Sequence, residues 1–360
     1  MHIATSIVNE RRERALKSAK SLGFDVVVAS SPENLYYLTG FWGNGVVMID
    51  ESKTLIYTQI LDKSRAESQS VNCEVIGVKI GSSLYDVIIE RLKGRRVLFD
   101  NPRVSIADRV REAMGQNVKF DPQFYYELRR RKDEFEISCI KKVAAMIDEL
   151  FEAVNEILTV GISEREVAAK LFSKAISMGC TPSITTATIP IIVASGPNTS
   201  YPHAEPTDRR LNPGDLVIID LFFMYKGYVA DATRTFGLGS VSNEIKEIYE
   251  VVREVQELGI KSATDGALCR DVDKVCRDRL IERGLGEYFI HSTGHGVGLE
   301  VHEPPWLGPG SNDKLMKDDV VTIEPGVYIP NRYGVRIEDT IHISHGVEIL
   351  TKFPKELIIL

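Results

Sequence analysis

Through the middle of the chain the apolar residues Ile140, Val143, Ile147, Leu150, Phe151, Val154 and Leu158 recur at steps of mostly three or four. That spacing predicts a long helix with one apolar stripe, ended at Gly161. Ser163 with Glu166 reads as a capping box opening a second helix, which Gly179 closes. Two more helices are predicted over residues 244–263 and 271–283. The remainder of this half is β-rich, over residues 189–194, 216–236 and 320–343. The first third has a different rhythm. A helix over 11–22 stops at Gly23, and a short buried strand follows over 24–29. Strands over 45–49 and 54–58 flank the polar turn from Asp50 to Lys53, and another over 96–99 ends at Asn101-Pro102. This is the pattern of a small α/β domain.

The character changes near residue 125. An aromatic cluster, Phe124-Tyr125-Tyr126, is followed by a densely charged stretch from Leu128 to Glu136. Its basic run, Arg129 to Lys132, is met at once by Asp133, Glu134 and Glu136. That mixture reads as a solvated helix start rather than a nucleic-acid patch. The predicted domains are therefore residues 1–125 and 126–360.

Length agrees with two domains, since 360 residues exceed one ordinary core. Hydrophobic residues at 43% and charged residues at 26% are ordinary globular composition. With 44 Lys and Arg against 51 Asp and Glu, the net charge is −7, which offers no basic surplus for nucleic acid. No apolar run is long enough to span a membrane, and the polar first fourteen residues lack the apolar segment of a secretory signal. The five scattered cysteines, Cys73, Cys139, Cys180, Cys269 and Cys276, read as free, buried thiols of a reducing compartment. The expected location is the cytoplasm.

Three segments carry chemistry. The first holds two strands, 216–225 and 228–236, joined by a turn at Lys226-Gly227. With that turn at the centre, Asp220 faces Thr233 and Asp231 faces Phe222, so the two aspartates are diagonal neighbours on one face. Carboxylates so placed need a cation between them unless the face is solvated. The second segment, residues 290–305, packs His291, His295 and His302 among Gly294, Gly296 and Gly298. Such clustering favours a site over three structural histidines. It lacks the spacing of a dinucleotide loop. The third contains Glu324 at the end of an apolar strand and Glu338 on an alternating one. On that strand Arg336, Glu338, Thr340 and His342 would share a face, and a plain Arg336–Glu338 ion pair is the competing explanation for Glu338. Four carboxylates and one imidazole suit two divalent cations, Mn²⁺ or Co²⁺ foremost and Zn²⁺ also acceptable. A water between them would ionise near neutral pH. His2, His342 and His345 have no role in this scheme and are expected at the terminus and the surface.

Asp220, Asp231, His295, Glu324 and Glu338 occur in that order, the last four within DATRTF, GHGVGLEVHE, EPGVYIP and GVRIEDT. In this the chain resembles the dinuclear metallopeptidases of the pita-bread fold, and is most similar to Xaa-Pro dipeptidases (prolidases) and Xaa-Pro aminopeptidases. The similarity extends more loosely into SPENLYYLTGF. It implies a creatinase-like α/β domain followed by an α+β catalytic domain with a curved antiparallel sheet. It implies a homodimer in which the small domain restricts access to the cleft. Asp220 would hold one metal and His295 the other, together with Glu324, while Asp231 and Glu338 bridge the pair. Glu324 would double as general base. His203 would stand near the scissile bond, His302 would help stabilise the tetrahedral intermediate, and His291 would line the proline pocket. Arg336 would support a metal-bound carboxylate from behind. Two departures bear on substrate: Phe222 stands where Gly is frequent, and Trp306 stands where many prolidases have an arginine for the dipeptide carboxylate. The expected substrates are short proline-containing peptides, cut before proline. Dipeptidase leads, and aminopeptidase on longer peptides is the alternative. A non-catalytic peptide-binding scaffold would be expected to have lost ligands, and all five are present. Creatine amidinohydrolase and methionine aminopeptidase are disfavoured, by the full ligand set and by the extra N-terminal domain respectively.

Overall fold

The computed structural model describes residues 3–182 and 190–360. His2 and Ile189, the head of one predicted strand, lie outside the described residues. The chain divides into two compact units, Met1–Arg129 and Arg130–Leu360.

The first unit alternates helices and strands: α1 (Thr5–Ser21), β1 (Val26–Ala29), α2 (Pro32–Thr39), β2 (Val46–Ile49), β3 (Thr54–Gln59), α3 (Lys63–Gln69), β4 (Glu74–Val78), α4 (Leu84–Leu92), β5 (Val97–Phe99), α5 (Val104–Met114), β6 (Val118–Phe120) and α6 (Pro122–Arg130). Its six-stranded sheet runs β4-β3-β2-β1-β5-β6. The β2–β3 hairpin turns where expected, because the Asp50 carboxylate accepts the Ser52 and Lys53 backbone N–H groups. The strands bury Val28, Met48, Leu55 and Phe99 against Ile88, Leu92 and Val110 of the helices. The α1 helix begins six residues before its predicted start, since its first two turns are largely polar and carry little periodic signal. Cys73 departs from the buried-thiol expectation: it is half-buried and accepts a hydrogen bond from Arg12 at 2.9 Å.

The second unit opens with α7 (Glu134–Ile157) and α8 (Glu164–Ser177). Both start at full capping boxes, Asp133 with Glu136 and Ser163 with Glu166. The strands β7 (Thr181–Pro182), β8 (Ile191–Ser195), β9 (Leu216–Tyr225) and β10 (Tyr228–Gly237) form one antiparallel sheet, with α7 packed across β9 and β10. Two helices follow, α9 (Asn243–Ser262) and α10 (Cys269–Glu282). Then come β11 (Gly294–Gly296), β12 (Glu303–Leu307), β13 (Val320–Ile323), β14 (Gly326–Ile329), β15 (Tyr333–Arg336), β16 (Asp339–Ile343) and β17 (Val347–Ile349). They pair as a five-stranded sheet, β12-β11-β13-β16-β17, and a separate β14–β15 hairpin.

Two expectations need correction here. Only Arg131 of the basic run is solvated. Arg129, Arg130 and Lys132 are all buried, Arg130 on Asp319 at 3.0 Å and Lys132 on Glu303 at 2.7 Å. Burial of Arg130 and Lys132 is tolerated because each meets a carboxylate brought from far along the chain, while Arg129 donates to Asn34 Oδ1 at 3.1 Å. His342 is likewise buried rather than on the surface, held 3.4 Å from Glu348 and 3.5 Å from Asp318.

Candidate metal centre

The β9–β10 hairpin turns at Lys226-Gly227, both with positive φ, as a two-residue hairpin of matching twist requires. Asp220 lies opposite Thr233 and Asp231 opposite Phe222, in the predicted register. Both aspartates are buried. Phe222 packs with Met224, Val229 and Val301 and forms part of the wall beside them.

His295 sits on β11, where close approach demands glycine on either side. A Cβ on Gly294 would meet the Thr322 carbonyl at 2.0 Å, and one on Gly296 would meet the Glu303 carbonyl at 2.5 Å. The His295 backbone N–H donates to Thr322 Oγ1 at 3.1 Å. Glu324 follows the last residue of β13. Glu338 is not within a continuous strand. It occupies a two-residue break between β15 and β16, and its backbone is held from below by the hairpin. Its N–H donates to the Thr233 carbonyl at 3.1 Å, and its carbonyl accepts from Arg234 at 2.6 Å. Arg234 is itself anchored on Asp339 at 2.8 Å.

These elements bring Asp231, His295 and Glu338 together, each with a ligand atom within 4.8 Å of the others. Asp220 and Glu324 line the same cavity, of about 730 Å³. Asp220 Oδ1, Asp231 Oδ1 and Glu338 Oε1 are buried without a hydrogen-bond partner. Burial and the neighbouring carboxylates push the Asp231 and Glu338 carboxyls well above their ordinary range. Three unpartnered carboxylate oxygens converging in one cavity fit divalent cations. His295 agrees. Its Nδ1 faces the Gly296 carbonyl at 3.1 Å and its Nε2 faces Glu324 Oε1 at 3.3 Å. With the Nδ1 proton on the carbonyl, something positive must stand between Nε2 and the carboxylate. Against the opposing effect of burial, the pairing with His295, aided by His291 and Arg336, takes the Glu324 carboxyl down to about 2. A cation between Nε2 and the Glu324 carboxylate would serve both.

Arg336 does not form the competing ion pair with Glu338. Its Nη2 donates to Asp220 Oδ2 at 2.6 Å, its Nη1 to the Pro202 carbonyl and Tyr328 Oη, and its Nε to Thr233 Oγ1 at 3.0 Å. Thr233 passes the contact on, donating to Glu338 Oε2 at 2.7 Å. Thr233 and Tyr328 escaped the sequence reading. The signal for Thr233 was present in its register opposite Asp220, while Tyr328 had none.

The other histidines line the cavity. His302 lies beside His295, with ring centroids 4.2 Å apart and planes tilted by 58°, and His203 is exposed on the 201–207 segment. His291 Nε2 meets Tyr328 Oη at 3.0 Å, Phe289 lies edge-on at 5.2 Å, and burial lowers its pKa. Trp306 is 45% exposed on the rim. His345 is exposed.

Comparison with known proteins agrees with this geometry. Residues 138–345 match metallopeptidase family M24, and residues 11–131 match the creatinase/prolidase N-terminal domain. The Xaa-Pro dipeptidase of Pyrococcus horikoshii is 36% identical over 98% of this chain and 99% of its own. The structure of an Xaa-Pro dipeptidase from Bacillus anthracis superposes with a TM-score of 0.89 at 35% identity, covering 98% of this chain and 100% of that one. An X-Pro aminopeptidase structure from Thermotoga maritima gives 0.89 at 30% identity, covering 97% and 99%. The chain belongs to metallopeptidase family M24 and combines a creatinase-like N-terminal domain with the pita-bread catalytic fold.

Proposed function

We propose that this chain is an Xaa-Pro dipeptidase working with two divalent metal ions, Mn²⁺ or Co²⁺ foremost. The observation that carries the reading is the convergence of unpartnered Asp231 and Glu338 oxygens on His295, in the cavity that Asp220 and Glu324 also line. Asp220, Asp231, His295, Glu324 and Glu338 would hold the ions, with Asp231 and Glu338 shared. When bound, such ions polarise the scissile carbonyl and make water acidic enough to attack near neutral pH.

The side chains supply the remainder. Glu324 stands where it can take the proton of the attacking water and return it to the leaving nitrogen. His302 offers an N–H toward the carbonyl oxygen as negative charge develops there. His203, on the 201–207 segment, stands near the scissile bond. His291, fixed by Tyr328 and Phe289, forms part of an apolar wall for the prolyl ring. Arg336 holds Asp220 directly and Glu338 through Thr233, which keeps both carboxylates aimed inward. Trp306 on the rim supports the second reading, an aminopeptidase, because an apolar rim accommodates peptide continuing beyond proline.

The test is turnover of Leu-Pro and Leu-Pro-Pro by the Mn²⁺- or Co²⁺-loaded protein, with Glu324→Gln as control. Dipeptide cleavage that the control loses is the expected result. Cleavage of the tripeptide alone would establish the aminopeptidase. Absence of both activity and bound metal would sink the hydrolase reading.

A further inference from the structure

We propose that Arg165 binds the C-terminal carboxylate of the dipeptide, an inference that rests on the dipeptidase reading. A free dipeptide carries its carboxylate one residue beyond the bond to be cut. Leaving that charge unpaired against a largely apolar wall is costly, so preference for dipeptides requires a cation within reach. Among the described residues, the cavity is lined by two cationic side chains of arginine or lysine, Arg336 and Arg165.

Arg336 is already spent. It is buried, and all three of its nitrogens donate to Thr233, Pro202, Tyr328 or Asp220. Arg165, in the first turn of α8, is different. Its side chain is 63% exposed, and its Nε donates to Asp208 at 2.9 Å. Among the described residues neither of its terminal nitrogens has a partner, which leaves two parallel donors for the two oxygens of a carboxylate.

Its backbone is fixed on the wall that carries His203. The Arg165 N–H donates to the Thr207 carbonyl at 3.0 Å. The adjacent Glu164 carboxylate is buried and accepts from Ser195, Asn198 and Thr207. The helix start and the 195–207 segment are thereby tied together, so the Arg165 backbone is fixed on the segment that carries His203. That wall also presents Pro202, Ala204 and Pro206 to the cavity, an apolar bed for the prolyl ring. As a structural ion pair, Arg165–Asp208 is exposed and contributes little, so its removal leaves the fold intact.

The experiment compares Leu-Pro with Leu-Pro-amide in the metal-loaded wild type, Arg165→Gln and Arg165→Lys. A carboxylate contact made equally in ground and transition states acts on KM and not on kcat. The expected result for Arg165→Gln is a KM for Leu-Pro raised about tenfold at unchanged kcat, the scale of a charge-assisted hydrogen bond. Leu-Pro-amide should show no such rise, and Arg165→Lys should fall between. An equal KM rise for both substrates, or no rise for Leu-Pro, overturns the assignment. A wild type that cleaves Leu-Pro-Pro but not Leu-Pro overturns the dipeptidase reading and the role of Arg165 with it.

Discussion

The candidate metal centre is built from two halves that hold their carboxylates by different means. In the β9–β10 hairpin, Asp220 and Asp231 are placed by an uninterrupted ladder running back from a two-residue turn. In the 294–343 half, His295 sits at a register shift in β11, Glu324 just past a strand end, and Glu338 in a break between strands. The first half is set by local hydrogen-bond geometry. The second is set by side chains that reach across: Thr233, Arg234 and Thr235 of β10 bond to Glu338 and Arg336, and Thr340 bonds both backbone groups of Asp231. Regular strands aim side chains every second residue, so a site that needs ligands from several directions must break some of them.

The strongest way to test that division is to remove one ligand from each half. Asp231→Asn and Glu338→Gln should each lower kcat/KM by on the order of 10³-fold or more, since several kcal/mol of charge stabilisation leave with the metal. Calorimetric titration with Mn²⁺ should show the same deficit in both variants. If one variant kept full metal affinity, the two halves would not share a site.

Next in size is the buried pair beneath the second half. Lys132 and Glu303 meet at 2.7 Å with almost no exposure, and Glu303 fills the space above Gly298, where a Cβ would lie 2.4 Å from its carboxylate. Lys132→Met takes the buried cation away from that carboxylate and should cost about 3–5 kcal/mol in urea unfolding. Adding Glu303→Leu should recover much of the loss. A double variant no better than the single would mean that shape, rather than charge, holds the 297–303 loop.

Thr233→Val tests the link between the halves. It removes the hydroxyl that accepts from Arg336 and donates to Glu338 while leaving the ladder intact. Metal affinity should fall by about 10–100-fold, the usual range for a group supporting a ligand, with little change in urea midpoint. An unchanged affinity would show that the backbone bonds to Thr233 and Arg234 suffice to aim Glu338.

The same division explains what could be read in advance. Asp220 and Asp231 were legible to the residue, because a turn of two residues fixes the register of everything attached to it. The capping boxes at Asp133 and Ser163 are equally local, though only the second was read from sequence. Glu338 was found as a residue but not as a geometry, since alternation in GVRIEDT mimics an unbroken strand. Arg336 was expected behind a metal-bound carboxylate, but which one was not legible, since its partner Asp220 lies 116 residues away. Lys132 and Arg130 looked solvated because acidic residues follow them in sequence. Their actual partners, Glu303 and Asp319, are 171 and 189 residues distant. Long-range pairing of charges leaves no periodic mark.

The smallest effect belongs to the turn itself. Gly227 has φ +85, so Gly227→Ala forces an L side chain into the left-handed region and should cost about 1 kcal/mol of stability. Metal affinity should stay at the wild-type value. A slip of one residue would turn one strand over against the other, putting Asp220 and Asp231 on opposite faces together with the slipped strand's buried neighbours. That alternative is far costlier than straining one turn residue, so the ten paired positions should hold the register once the chain has folded. Parallel loss of stability and of Mn²⁺ affinity in this variant would show the reverse: the turn, and not the ladder, would then be what keeps the two aspartates facing the metals.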